Sequence, residues 1–162
     1  MEPTTLRSPT SAAIQLKSIL VPVDFSDPSN QALRYAARFA QHFGSEITLL
    51  HVVQRISVAP FPEVPPYLAF AEEDFEIAEK ALQTLAAQQT LKSSAIHTAV
   101  RTGLAAHEIV EAARDLDSDL IVIATHGYTG WKHLCIGSTT ERVVRTAPCP
   151  VFVVREKQHE LF

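Results

Sequence analysis

The chain has 162 residues, with 14 basic against 18 acidic side chains and a formal charge of −4 at pH 7, a size that suits one domain burying roughly 70% of its unfolded surface. No run of Lys or Arg marks a nucleic-acid track, so DNA and RNA are not expected partners. No apolar run approaches the roughly 18 residues needed to span a bilayer, and the opening MEPTTLRSPTSAA lacks the apolar core of a signal peptide, so a soluble, cytoplasmic protein with no membrane partner is expected.

Residues 1–16 mix proline, serine, threonine and alanine without periodicity, the composition of a flexible N-terminal tail. Ser18 to Asp24, SILVPVD, is a short β-rich run that ends in a carboxylate; Pro22 fits near its end, where a missing N–H falls at a break in pairing. Asp27-Pro28-Ser29 reads as a helix start, with Asp27 as cap and Pro28 at the first helical position. Apolar residues at spacings of three and four, from Ala32 to Phe43, carry that helix to Gly44 as its C-terminal cap. Glu46 to Val53 is a second strand, and strand, helix, strand implies parallel pairing.

Gln54 to Pro66 carries four prolines and reads as a long loop, equally a lid or an insertion. A helix with an acidic start at Glu72, Glu73 and Asp74 follows to about Gln89, with Phe75, Ala78, Leu82 and Leu85 on one face. Ala95 to Arg101 is a weaker strand, and Gly103 turns into a helix over about Ala105 to Asp115. Leu120 to Ile123 is the run of a strand buried on both faces. A glycine-marked loop follows it, and Gly137 leads into Ser138, Thr139, Thr140 and Glu141 as a helix N-terminus. Such a start offers unpaired N–H donors and a partial positive charge, which suit a phosphate. Val151 to Val154 is the last strand, and the residues from Glu156 form a polar C-terminal tail. Five strands alternating with four helices define an open, mostly parallel, three-layer α/β domain over residues 17–155.

In such sheets ligands settle beyond the carboxyl ends of the strands, where the strand order reverses. Neighbouring first and fourth strands would bring Asp24, the glycine loop and the Gly137-Ser138 helix start to one crevice. The sequence has no P-loop, no G-x-G-x-x-G opening a helix and no G-x-S-x-G nucleophile elbow. Cys135 and Cys149 show no C-x-x-C spacing and are expected as reduced thiols. His126, His133 and Cys135 match no standard zinc pattern, and a Ser138, His126, Asp24 triad lacks a marked oxyanion hole; neither a metal site nor a catalytic residue is assigned.

VPVDFSD (Val21 to Asp27), TLLHVV (Thr48 to Val53), ATHGYTGWKHLCIGSTTERVV (Ala124 to Val144) and APCPVFVV (Ala147 to Val154) together resemble the universal stress protein family. The family signature is glycine, two residues, glycine, nine residues, glycine and then Ser or Thr. Gly127, the nine residues Tyr128 to Ile136, Gly137 and Ser138 match it, while Ala124 stands where the signature has glycine. Alanine there would cost roughly 1 to 2 kcal/mol in a left-handed conformation and little at an extended strand end, which is the expected case.

The resemblance implies a Rossmann-like fold with strand order 3-2-1-4-5. It implies binding of ATP, with or without magnesium, or of AMP or ADP, in a stress-response protein that forms a homodimer through its last strand. Carried over by motif, Asp24 contacts the ribose and the backbone of Val52 the adenine, while Gly127, Gly137, Ser138 and Thr139 hold ribose and phosphates; Pro22, Val23 and Ala124 complete the binding set. Simpler roles stay open. Ser138 and Glu141 have capping-box spacing, and Asp24 suits a cap on the turn into the first helix. Two functional alternatives are the same fold acting without nucleotide through dimer surfaces and the proline-rich loop, and a slow ATPase or phosphotransferase using Asp24 or His126.

Overall fold

The computed structural model describes residues 14–54, 72–89, 95–125 and 136–155. The elements in chain order are β1 (Ser18–Pro22), α1 (Asp27–Phe43), β2 (Glu46–Val53), α2 (Glu72–Ala87), β3 (Ile96–Thr102), α3 (Ala105–Asp115), β4 (Leu120–Ala124), α4 (Ser138–Thr146) and β5 (Val151–Val154). The strands form one parallel sheet in the order β3-β2-β1-β4-β5, the order expected. The proline-rich loop beyond Gln54, the site residue Gly127, and His126, His133 and Cys135, to which no metal site is assigned, lie outside the described residues.

Alternation along the central strands sorts the core into two layers. Ile19, Val21, Leu49 and Val122 face α1 and α2, where Ala32, Leu33, Ala36, Ala40 and Leu82 meet them. Leu20, Leu50, Ile121 and Ile123 face the other way, against Ile109, Val110, Ala113 and Val143 of α3 and α4. The small alanines let α1 approach the sheet closely, and Leu16 packs on the same layer just ahead of β1. At the amino edge of the sheet, Asp119 accepts from the N–H groups of Lys17 at 2.7 Å and Ser18 at 3.0 Å, which ties the start of β1 to the start of β4.

The start of α1 differs from expectation by one residue, and at the expected start of α4 the capping box left open by the sequence is not used. The cap of α1 is Ser26, whose side chain accepts from Ser29 N–H, and Asp27 is the first helical residue instead of the cap. Asp and Ser both serve as caps, so the choice falls to the backbone, and the left-handed Phe25 (φ 65°) turns the chain one residue earlier. At α4 the N-cap is Gly137, with no side-chain cap, and Ser138 is already helical. The capping box of Ser138 and Glu141 therefore does not form: Glu141 N–H bonds the Gly137 carbonyl, and its carboxylate pairs with Arg145 at 2.9 Å. The C-terminus of α1 is as expected, since Gly44 closes it in the left-handed conformation (φ 72°) with its N–H on the Ala40 carbonyl.

Candidate functional site

The chain runs outward from β1 through β2 to β3, then crosses to β4 and β5 on the other side of β1. The reversal lies between β1 and β4, and a cleft of about 380 Å³ opens at their carboxyl ends, within the size range of small-molecule sites. Its walls bring together Pro22 at the end of β1 with Val23 and Asp24 just beyond it, Val52 from β2, Ala124 from β4, and Gly137, Ser138 and Thr139 at the start of α4. Gly127 is the one expected site residue outside the described segments.

On the β1 side the ladder ends at the pair Pro22 and Leu50, and Val23 N–H makes one further bond, to the Leu50 carbonyl at 2.8 Å. The chain then leaves the sheet at Asp24. Backbone groups along a parallel strand alternate between its two neighbours. The Leu50 carbonyl bonds toward β1 and the Val53 carbonyl bonds Gly103 N–H of the β3 side, so the N–H and C=O of Val52 point where β1 has ended. That edge is beside Asp24, at the cleft. His51 lies between them: its Nδ1 is 2.8 Å from the Val23 carbonyl, and because a carbonyl only accepts, the ring donates through Nδ1–H.

The Asp24 carboxylate is itself held. Its Oδ1 accepts from Ser26 N–H at 3.1 Å and from Ser26 Oγ at 2.5 Å, so the turn-capping role open from sequence is realised at a residue that also lines the cleft.

On the β4 side, Ala124 is the last residue of the strand and is 6% exposed. Among the described non-glycine residues only Phe25 and Asp117 have positive φ, so Ala124 is extended and replaces glycine without backbone strain. Thr140 Oγ1 donates to its carbonyl at 2.7 Å. Thr125 N–H bonds Val154 at 2.9 Å, and the Thr125 carbonyl accepts from Gly137 N–H at 2.8 Å. These bonds bring the start of α4 back to the end of β4. The N–H groups of Ser138 and Thr139, in the first turn, have no intrahelical partners, and the positive end of the helix dipole sits at the cleft.

Several lining residues escape a reading of the sequence. Ser29, His51, Gln54, Ala105, Ile109, Thr125 and Thr140 also line the cleft. Ile109 was legible only as core, and His51 only as the polar interruption of a strand. Among the described residues no cluster of three His, Cys, Asp or Glu side chains could hold a metal ion, and no helix is long and apolar enough to cross a membrane.

A parallel sheet of this order with a cleft at its reversal point is a Rossmann-like α/β domain. The chain belongs to the universal stress protein family, whose model matches residues 15–155. It is 35% identical over 150 residues to Universal stress protein MJ0531 of Methanocaldococcus jannaschii, covering 89% of this chain and 85% of that protein. Among solved structures it is similar to the universal stress protein UspA from Lactobacillus plantarum, with 32% identity, a TM-score of 0.71 and coverage of 88% and 99% of the two chains. It is also similar to MJ0577 of Methanocaldococcus jannaschii, with 28% identity, a TM-score of 0.76 and coverage of 90% and 100%.

Proposed function

We propose that this universal stress protein binds an adenine nucleotide, ATP foremost, in the cleft between β1 and β4, as a sensor or binding module in a stress response. The observation that carries the reading is the convergence of three unlike walls: a carboxylate (Asp24), a strand edge (Val52) and a helix N-terminus (Ser138 and Thr139). A carboxylate accepts from ribose hydroxyls and repels phosphate, a strand edge offers a donor and an acceptor to a base, and a helix start suits phosphate. In this arrangement Asp24 meets the ribose, the Val52 backbone and the apolar side of Ile109 meet the base, and Gly137, Ser138 and Thr139 hold the phosphates, a set to which the family signature adds Gly127.

Two solved structures of the same fold lend the ligand class: a universal stress protein in complex with cAMP, 20% identical to this chain, and one from Archaeoglobus fulgidus in complex with dAMP, 21% identical. The protein is read as a cytoplasmic homodimer paired through β5, an edge strand whose Val151, Phe152 and Val153 are half-buried. Sedimentation of the purified protein tests the pairing.

The binding reading is tested by mass spectrometry of nucleotide released from a native preparation and by calorimetry with added ATP. Asp24→Ala is expected to weaken ATP binding about tenfold to a hundredfold, the worth of a hydrogen bond to a charged group. Absence of nucleotide from the preparation together with no heat on ATP addition would remove the proposal.

A further inference from the structure

The turn between β1 and α1 is built around one oxygen. Asp24 Oδ1 receives two donors from one residue, Ser26 N–H at 3.1 Å and Ser26 Oγ at 2.5 Å. A serine hydroxyl carries a single proton and an ionised carboxylate only accepts, so that proton is committed to Asp24. The same Oγ accepts from Ser29 N–H at 3.4 Å, beyond the usual range for such a bond. Ser26 is thus a weak helix cap and a strong partner of Asp24. It is also 8% exposed, so solvent does not compete for the hydroxyl.

This geometry has a local cost. For Ser26 to reach back over two residues, Phe25 adopts the left-handed conformation (φ 65°), which side-chain-bearing residues disfavour. The Phe25 ring is anchored on His51, with centroids 4.7 Å apart, and His51 in turn bonds the Val23 carbonyl. Held conformations of this kind cluster where a side chain has to be preorganised.

We infer that Ser26 is a positioning residue for the ligand: through its hydroxyl and N–H it fixes the Asp24 carboxylate in the orientation that reads the vicinal hydroxyls of a ribose. The inference rests on the reading that Asp24 meets the sugar. Ser26 itself does not line the cleft, so its effect on ligand is exerted through Asp24. A carboxylate free to turn about its side-chain torsions would lose entropy on binding the sugar; a pinned one has already done so.

The test compares ATP with 2′,3′-dideoxy-ATP by calorimetry on wild type, Ser26→Ala, Ser26→Gly and Ser26→Thr, each first shown to be folded by circular dichroism. Wild type is expected to prefer ATP about tenfold to a hundredfold. Ser26→Ala should lower that preference about tenfold while leaving the dideoxy affinity unchanged, and Ser26→Thr should restore it. Glycine is a serviceable helix cap, so Ser26→Gly separates loss of the hydroxyl from loss of the cap and stands in if the alanine variant does not fold. A preference that stays at the wild-type value in Ser26→Ala and Ser26→Gly overturns the inference and leaves the ribose assignment intact. Equal weakening of both nucleotides also overturns it, since that is the pattern of a purely structural cap. Equal affinities for the two nucleotides in the wild type overturn the assignment of Asp24 to the sugar, and the positioning role with it.

Discussion

Thr140 and Ala124 are joined by a 2.7 Å hydrogen bond from Oγ1 to the strand-end carbonyl, 16 residues away in sequence. Both residues are buried, at 4% and 6% exposure, so the bond is made out of reach of water and fixes the first turn of α4 against β4. Thr140→Val keeps the shape and removes the donor, leaving a buried carbonyl short of its partner. The expected loss is about 1 to 3 kcal/mol, read as a lower urea midpoint at unchanged slope. Thr140→Ser should retain most of the stability, because the hydroxyl is what matters.

Phe25 supplies a comparison with a defined sign. Its backbone is left-handed (φ 65°) while its ring packs on His51 and the α1-facing core. Phe25→Ala removes the ring and keeps the backbone penalty, whereas Phe25→Gly removes both. Glycine should therefore be the more stable replacement by about 1 kcal/mol, the reverse of their order at an ordinary right-handed or extended position. Thermal melts of the two variants side by side provide the measurement. Alanine equal to or above glycine would mean that the turn relaxes once the ring is gone.

These two positions also show what sequence reading can and cannot reach. Strands such as Leu120–Ala124 are legible because burial on both faces demands a continuous apolar run. The end of α1 is legible because only Gly44 suits its left-handed cap. The placement of Asp24, Val52, Gly137 and Ser138 at one cleft follows from strand order, which alternating strands and helices restrict but do not fix. The cap of α1 lies one residue from its expected place, at Ser26 instead of Asp27, while α4 starts at Ser138 as expected and leaves the alternative Ser138 cap unused, for a physical reason. Ser, Asp and Gly are all competent caps, and the choice among Ser26, Asp27, Gly137 and Ser138 is made by a backbone turn and by packing, not by composition. Ser26 and Thr140 look like interchangeable polar neighbours in FSDP and STTE; only the fold reveals that one reaches Asp24 and the other Ala124. The Val52 edge is visible only once β1 is known to end at Pro22.

Cys149 gives a pH dependence. Burial pushes its thiol above the ordinary value of 9.0, the nearby Asp119 charge adds to the effect, and a hydrogen bond with the Ile121 backbone opposes it. The folded protein therefore holds this proton more tightly than the unfolded chain. The resulting stability is fully present below about pH 9 and is lost as pH rises through the folded-state value. Urea denaturation from pH 7 to pH 10.5 should show a steeper alkaline decline for wild type than for Cys149→Ala. Alkylation of Cys149 by iodoacetamide at pH 8, followed on its peptide by mass spectrometry, should be slower in native protein than in urea. Equal rates would mean that the thiol is not protected.

Gly137 separates backbone conformation from close approach. Its φ of −59° and ψ of 148° are open to any L-residue, so nothing in its torsions demands glycine. What it offers is a bare Cα at the lip of the cleft, one residue ahead of the first-turn N–H groups of α4. Valine is a poorer N-cap than glycine, so Gly137→Val should cost stability by about 1 kcal/mol, visible as a small fall in the melting temperature. Its branched side chain would stand where the phosphates are proposed to approach, so ATP binding should vanish from calorimetry while the circular dichroism spectrum is unchanged. Gly137→Ala, adding one methyl group, should weaken ATP more than adenosine, because the phosphates and not the nucleoside meet this residue. Undiminished affinity in Gly137→Val would place the phosphates away from the α4 N-terminus; equal weakening of ATP and adenosine by Gly137→Ala would instead mean that the whole ligand had shifted.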